Sequence, residues 1–126
     1  MWTQIRRAHV LFWTGLALLL ALLPAGASAI QPADAAYRGD AHMGRRTATA
    51  TFRVVHSHVV DFQLSGLDVQ DMLVRHSGRF NGCNTREAAH PCVEGRFTAR
   101  DRARGTVAFG KHGLWRFSAR AIGTQR

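Results

Sequence analysis

The chain has 126 residues, enough for one domain and too few for a second. Its formal net charge is +9, from 17 basic and 8 acidic residues. Sixteen of the basic residues are arginine and Lys111 is the only lysine. A GC-rich genome also produces this bias, so the arginine count alone indicates no function. The positive charge predicts weak, salt-sensitive attraction to anionic surfaces, and it excludes no specific partner and identifies none.

Residues 1–29 have the pattern of a cleavable secretory signal peptide. Arg6 and Arg7 precede an apolar run over 10–23, and Ala27-Ser28-Ala29 supplies the small residues that signal peptidase reads. We expect cleavage after Ala29, which leaves 97 residues with 15 basic and 8 acidic side chains, a net charge of +7. The run is shorter than the roughly 20 residues of a membrane span, so we expect membrane contact only through this segment. Cleavage after Ala35 and retention as an anchor are the alternatives.

The next segment, 30–46, shows no hydrophobic period and contains Pro32, Gly39 and Gly44. It is interpreted as a flexible leader. The remaining residues, 47–126, are predicted to form a single β domain.

The first half of this domain predicts three strands. Residues 48–56 are rich in Thr, Val and Phe, which favour strands. Val60, Phe62 and Leu64 alternate with polar residues, as in a half-buried strand. A third strand is predicted over 69–75, with Met72 and Val74 or Val69 and Leu73 facing inward.

The second half shows clearer alternation. Apolar or small residues alternate with polar ones over 93–100, and 106–109 is a short apolar strand. Residues 110–113 predict a four-residue hairpin loop with glycine at both ends. The strand over 114–122 then places Trp115 and Phe117 on one face and arginines on the other.

These patterns predict an all-β fold after the signal-peptide helix: an antiparallel β-sandwich or small barrel of six or seven short strands. No helix is predicted after residue 29. The tripeptide Gly-Arg-Phe occurs at 78–80 and again at 95–97, a repetition that chance would produce in an arginine-rich chain.

Cys83 and Cys92 are the only cysteines, and both follow the signal segment. An oxidising compartment favours a disulfide between them. The alternative, a redox-active pair, typically has C-x-x-C spacing at the start of a helix, which this pair lacks. We therefore predict a structural disulfide.

His56-Ser57-His58 is the best candidate for metal binding. On a strand, residues two apart point to the same side, so both imidazoles would face one ion. Two ligands do not complete a zinc site, and a third would come from an acid or from another histidine (His76, His90 or His112). The signal for a metal is weak and the favoured interpretation is a polar turn that joins two strands, so no metal and no cofactor is predicted.

The densest basic stretch is 100–105, where Arg100, Arg102 and Arg104 alternate with other residues. At strand spacing these guanidinium groups would line one side and hold a phosphate or sulfate. Asp101 and Gly105 favour a solvated turn instead. The aromatic residues are predicted to face inward, so we expect no specific nucleic-acid binding.

No catalytic set is found in the sequence. Ser57 has histidine neighbours but no G-x-S-x-G elbow, and no phosphate-binding glycine loop occurs. The protein is therefore expected not to be an enzyme.

Parts of the chain resemble small exported bacterial β-sandwich domains of uncharacterised function. The resemblance covers 59–121 and is carried by Val60-Asp61-Phe62-Gln63-Leu64-Ser65-Gly66, Gly95-Arg96-Phe97, Ala103-Arg104-Gly105-Thr106-Val107 and Trp115-Arg116-Phe117-Ser118-Ala119-Arg120. It implies a fold and no active site.

The sequence thus predicts a secreted or periplasmic, non-catalytic binding or structural module of unknown ligand. Its expected partner is an envelope or extracellular macromolecule. The alternatives are a histidine-based transition-metal-binding protein and an inhibitor of an extracellular enzyme.

Overall fold

The computed structural model describes residues 30–111 and 113–124. The predicted signal peptide and its cleavage site at Ala29 lie outside these residues. The described part contains nine antiparallel strands and no helix, so none of its elements is a helix able to cross a membrane. The strands are β1 (Ala35–Met43), β2 (Arg46–Val55), β3 (His58–Leu64), β4 (Leu67–Val69), β5 (Met72–Leu73), β6 (Arg79–Cys83), β7 (Pro91–Ala99), β8 (Arg102–Phe109) and β9 (Leu114–Thr124).

All nine strands belong to one sheet, which nearly closes into a barrel. The hydrogen-bonded order is β4-β3-β2-β1-β9-β8-β7-β6, with β5 also paired to β3. The two ends of this order lie next to each other, with β4 against β7 and β5 against β6. Across this seam the side-chain amide of Asn84 donates a hydrogen bond to the carbonyl oxygen of Asp68, at 2.7 Å. The all-β prediction is confirmed, and of its two alternatives the sheet is the barrel-like one.

The inside of the barrel is filled mainly by aromatic and β-branched side chains. Tyr37 and Phe52 stack with ring centroids 5.0 Å apart, and Phe62 meets Phe117 edge to face at 5.2 Å. Trp115 is also buried, at 2% exposure. Inward and outward residues alternate along most of the strands, which is the pattern expected for a sheet with one buried face. The predicted inward faces of Phe97, Trp115 and Phe117 are therefore confirmed.

The prediction of a flexible leader over 30–46 is wrong for most of that segment. Residues Ala35–Met43 form β1, which pairs with β2 on one side and β9 on the other. Its inward residues include Ala35, Tyr37 and Ala41, all fully or almost fully buried. Alanine and glycine have weak strand preference, so this central strand is determined by its neighbours and not by local propensity. The β domain accordingly begins before residue 47.

The strand predicted around Val60 exists, but its inward face changes partway. Val59, Phe62 and Leu64 are buried, whereas Val60 is half-buried. The register with β2 shifts between Thr51 and Arg53, and Asp61 has a φ of 53°. This is a β-bulge, which inserts one residue and resets the alternation.

The predicted strand over 69–75 is interrupted in the same way. It is divided into β4 and β5 by Gln70 and Asp71, and Asp71 has a φ of 49°. Val69, Met72 and Val74 are all buried, while Leu73 is 58% exposed. The break lets Val69 of one predicted face and Met72 and Val74 of the other all point inward, and it leaves Leu73 outside.

The hairpin loop predicted before the last strand is present, whereas β8 begins at Arg102, before the predicted start at residue 106. The loop between β8 and β9 spans 110–113, with both terminal glycines at positive φ. Nine strands form where six or seven were predicted, because β1 and β6 were missed and the strand predicted over 69–75 is divided into β4 and β5.

The repeated tripeptide Gly-Arg-Phe has a structural role. In the β6–β7 pair Arg79 lies opposite Arg96, and Phe80 lies opposite Gly95. The amide of Phe97 donates to the carbonyl of Gly78 at 2.9 Å. The two copies therefore run antiparallel against each other, and each phenylalanine lies against the glycine of the other copy. A Cβ at Gly95 would overlap the Phe80 ring.

Tyr37 joins β1 to two loops through its hydroxyl group. The hydroxyl lies within donating distance of two backbone carbonyl oxygens, that of Ala33 at 2.9 Å and that of Arg100 at 2.8 Å. Burial raises the pKa of Tyr37 from 10.0 to about 12, and the nearby Asp101 carboxylate acts in the same direction. The folded protein therefore favours the protonated phenol.

Tyr37 is the only tyrosine in the chain, so its titration is directly observable. We expect the near-ultraviolet absorbance of the phenolate to rise with a midpoint near 12 in the folded protein and near 10 after unfolding. The stability contributed by the phenol should be complete below pH 10 and fall as the pH rises from there toward 12. A folded-state midpoint near 10 would contradict this. Tyr37→Phe should abolish the signal and remove the loss of stability over that pH range.

Candidate anion-binding face

Seven arginines lie on the outer surface of five neighbouring strands. Their positions alternate with inward residues, and all seven side chains are exposed. We call this surface, on the outside of β6, β7, β8, β9 and β1, the arginine face. Its arginines are Arg38, Arg79, Arg96, Arg102, Arg104, Arg116 and Arg120.

The strand register arranges six of these arginines in two rows. In the first arginine row, Arg79, Arg96 and Arg104 are direct partners on β6, β7 and β8. In the second arginine row, Arg102, Arg120 and Arg38 are direct partners on β8, β9 and β1. Directly opposite residues on antiparallel strands have Cβ atoms about 4.5–5.5 Å apart. Each row therefore brings three positive charges close together.

No internal counter-ion neutralises these rows within the described residues. The ion pairs there are Arg53 with Asp61, at 2.5 Å, and His58 with Asp71, at 2.7 Å. Neither involves the arginine face, and no guanidinium of the face donates a hydrogen bond to another described residue. The charges on this face are therefore available to a ligand.

Two adjoining grooves cross the strands of the arginine face. The first has a volume of about 630 Å³ and is bounded by the first arginine row on one side and by Asn81, Glu94, Thr106 and Arg116 on the other. The second, about 810 Å³, continues over β9 and β1 and contains the second arginine row. The grooves share Arg116 and Phe117.

The first groove follows from the pleat of the sheet. Phe80, Gly95, Gly105 and Phe117 are successive partners across four strands and belong to the inward set. Residues before and after them in each strand point outward. The groove is the space between those two outward rows, with the backbone of the inward row beneath it.

Two carboxylates also lie on this surface. Glu94 is in the wall of the first groove and Asp40 lines the second. Two negative charges leave the seven arginines in clear excess, so the face as a whole attracts anions.

The basic stretch over 100–105 contributes only part of the face. Arg102 and Arg104 lie on β8 and point outward, as the strand alternative predicted, whereas Arg100 and Asp101 form the turn before it. The other arginines come from β1, β6, β7 and β9. The alternation of Arg116 and Arg120 with inward residues was visible in the sequence, but the register that aligns the strands was not.

The histidine motif lies in a hairpin turn between β2 and β3. His56 and Ser57 have φ values of 47° and 62°, so they do not continue a strand, and His58 is the first residue of β3. The imidazole of His58 pairs with Asp71, and the backbone amide of His56 donates to the Asp34 carboxylate at 3.2 Å. The described residues include no group of three or more His, Cys, Asp or Glu side chains placed to hold a metal ion.

Asp34, His56 and Ser57 also line a separate pocket of about 550 Å³, together with Arg100. This combination of residue types resembles a hydrolase triad in composition. The Asp34 carboxylate, however, accepts its hydrogen bond from the backbone of His56, so it orients the turn.

Cys83 and Cys92 form the predicted disulfide. They are direct partners at the end of the β6–β7 hairpin, with Cα atoms 4.0 Å apart. Both belong to the outward set of their strands, next to Asn81 and Glu94 of the first groove.

The comparisons with known proteins add no family assignment. Family models, curated proteins and solved structures give no match to this chain.

Proposed function

We propose that the protein is an exported, non-catalytic module that binds an anionic macromolecule through its arginine face. The observation that carries this proposal is the alignment of seven exposed arginines, without internal ion pairs in the described residues, on one side of a single sheet. The Cys83–Cys92 disulfide supports export, because such bonds persist in oxidising compartments.

The arrangement is unfavourable for the isolated protein. Like charges directly opposite on neighbouring strands destabilise a sheet, and both arginine rows consist of such pairs. Net charge alone would be equally well supplied by scattered arginines. Binding sites commonly retain arrangements that reduce stability, because the ligand supplies the missing interactions. A bound anion would neutralise the repulsion and stabilise the fold by linkage.

The direct test replaces the first arginine row by glutamine. The variant Arg79→Gln/Arg96→Gln/Arg104→Gln should bind inorganic polyphosphate at least about tenfold more weakly than the wild type, as expected when three charged contacts are lost. When the logarithm of its association constant is plotted against the logarithm of the salt concentration, between about 50 and 200 mM, the slope should be less steep by about two than for the wild type. Its melting temperature without ligand should rise by about 3–6 °C, because the repulsion is removed.

A matched control removes the same charge from elsewhere. Arg45, Arg86 and Arg100 are exposed and lie in turns or loops outside the arginine face. Their replacement by glutamine should change polyphosphate affinity by less than about threefold. Equal losses in the two variants would show that net charge, and not the face, controls binding.

A further inference from the structure

We infer that the ligand of the arginine face is a linear polymer carrying tetrahedral oxyanions, phosphate or sulfate groups, which lies across the strands along the two grooves. This inference rests on the proposed function and names the chemistry of the ligand. It is carried by three features: the direction of the grooves, the pairing of the arginines, and the residue types in the groove walls.

The direction of the grooves indicates a chain. The first groove crosses β6 to β9, and the second continues over β9 and β1. Neighbouring strands lie about 4.7–4.9 Å apart, so a path from β6 to β1 measures about 19 Å. A single small anion would occupy one position on this path, whereas an extended polymer would contact both arginine rows.

The pairing of the arginines favours tetrahedral groups. Each guanidinium presents a planar fork of donors that suits two oxygens of one acceptor. A carboxylate has two oxygens whose lone pairs lie in one plane, so the forks that it accepts are confined to that plane. Phosphate and sulfate present oxygens in several directions and can accept from two forks at once. Arg79 with Arg96, and Arg120 with Arg38, are adjacent pairs of this kind.

The grooves offer little exposed aromatic surface on which a base or another flat ring could stack. Phe80 and Phe117 line the first groove but are only 2% and 4% exposed, and the exposed large apolar residues of the described domain are Leu73, Leu114 and Ile122. Single-stranded nucleic acids are usually held by aromatic side chains on which the bases stack. The face therefore recognises the charged groups of a chain and makes few contacts to bases or other flat rings.

Glu94 places a negative charge within the arginine face. It lies opposite Asn81 on β6 and Thr106 on β8, within the wall of the first groove. An anionic chain in this groove is repelled by Glu94 while it is attracted by Arg96 on the same strand. Neutralising Glu94 without changing its size should therefore strengthen binding.

The first experiment measures affinity for three probes with the folded, disulfide-bonded protein at one salt concentration. Inorganic polyphosphate should bind more tightly as its length increases from tripolyphosphate until it spans about 19 Å, and then reach a plateau. Dextran sulfate should also bind, and whichever of these two polymers binds more tightly identifies phosphate or sulfate as the source. Polyglutamate of matched charge should bind at least about tenfold more weakly than the better of them.

The second experiment uses two variants. The first variant removes the second arginine row and is Arg38→Gln/Arg102→Gln/Arg120→Gln. Its affinity for long polyphosphate should be at least about fivefold lower than that of the wild type, and its affinity for tripolyphosphate should be within about twofold. The second variant, Glu94→Gln, should bind both long polyphosphate and tripolyphosphate about two- to fivefold more tightly than the wild type.

Different failures have different meanings. Equal affinity for polyglutamate and polyphosphate, or no dependence on chain length, would overturn this inference and leave anion binding by the face intact. If the wild type and the variant lacking the first arginine row bind every probe equally, the proposed function itself is wrong.

Discussion

Replacing both Cys83 and Cys92 by serine is expected to lower the free energy of unfolding by about 2.5–3 kcal/mol. The disulfide closes a loop with a sequence separation of 9, and the loop-entropy relation gives this value for about ten residues. Few large apolar groups anchor the enclosed segment 84–91, which contains a turn where the backbone amide of His90 donates to the backbone carbonyl of Glu87 at 3.0 Å. The loss is large against the roughly 5–15 kcal/mol typical of a whole domain.

Denaturant unfolding followed by tryptophan fluorescence measures this loss. Trp115 is the only tryptophan outside the predicted signal peptide, and it is buried, so its emission reports the core. Reducing the wild type should reproduce the stability of the double variant. A change below about 1 kcal/mol would show that the hairpin is held by its strand pairing alone. Because β6 carries Arg79, partial release of this hairpin should also weaken polyphosphate binding.

A single methyl group added at Gly39 is expected to have a still larger effect. A Cβ at this position would overlap the carbonyl oxygen of Ser118 and lie 2.5 Å from the Cα atom of Ala119, both in the backbone of β9. A flexible side chain can move away from such a contact, but the backbone of a paired strand cannot. We therefore expect Gly39→Ala to lower the free energy of unfolding by at least about 3 kcal/mol, which is the upper part of the range for overpacked sites.

Gly123→Ala is the matched control. Gly123 also pairs between β9 and β1, and a Cβ there would meet no atom within 4 Å. This variant should be within about 0.5 kcal/mol of the wild type or slightly more stable. Thermal and denaturant unfolding of the two variants separate steric overlap from the general cost of replacing glycine. Equal stabilities would mean that β1 and β9 are further apart than the structure has them.

The sequence predicts those parts of the fold in which local pattern and burial agree. Trp115 and Phe117 alternate strictly with exposed residues, and the loop 110–113 has glycine at both ends, so both features were identified. The same reasoning fails at Asp61 and Asp71, where a residue at positive φ shifts the alternation by one position. Aspartate tolerates this conformation without any special sequence signal. It fails for β1 because a central strand receives hydrogen bonds from both sides and needs little intrinsic preference.

The candidate site was harder to predict because it depends on register. Arg79, Arg96 and Arg104 are separated by 17 and 8 positions in the chain and become neighbours only through strand pairing. Composition does not distinguish them from the arginines in turns. The disulfide needed no register, since two cysteines allow one intramolecular pairing, and it was predicted correctly.

The seam of the barrel has a consequence for the curvature of the arginine face. At the seam the side chain of Asn84, the residue after β6, donates its hydrogen bond to β4, whereas the neighbouring strands elsewhere in the sheet are joined by backbone ladders. Among the hydrogen-bonded junctions around the barrel this one is the weakest, so a change in the curvature of the sheet would break it before it broke a ladder. The arginine face extends from β6, at the seam, to β1, so a change in this curvature alters the spacing of its charges.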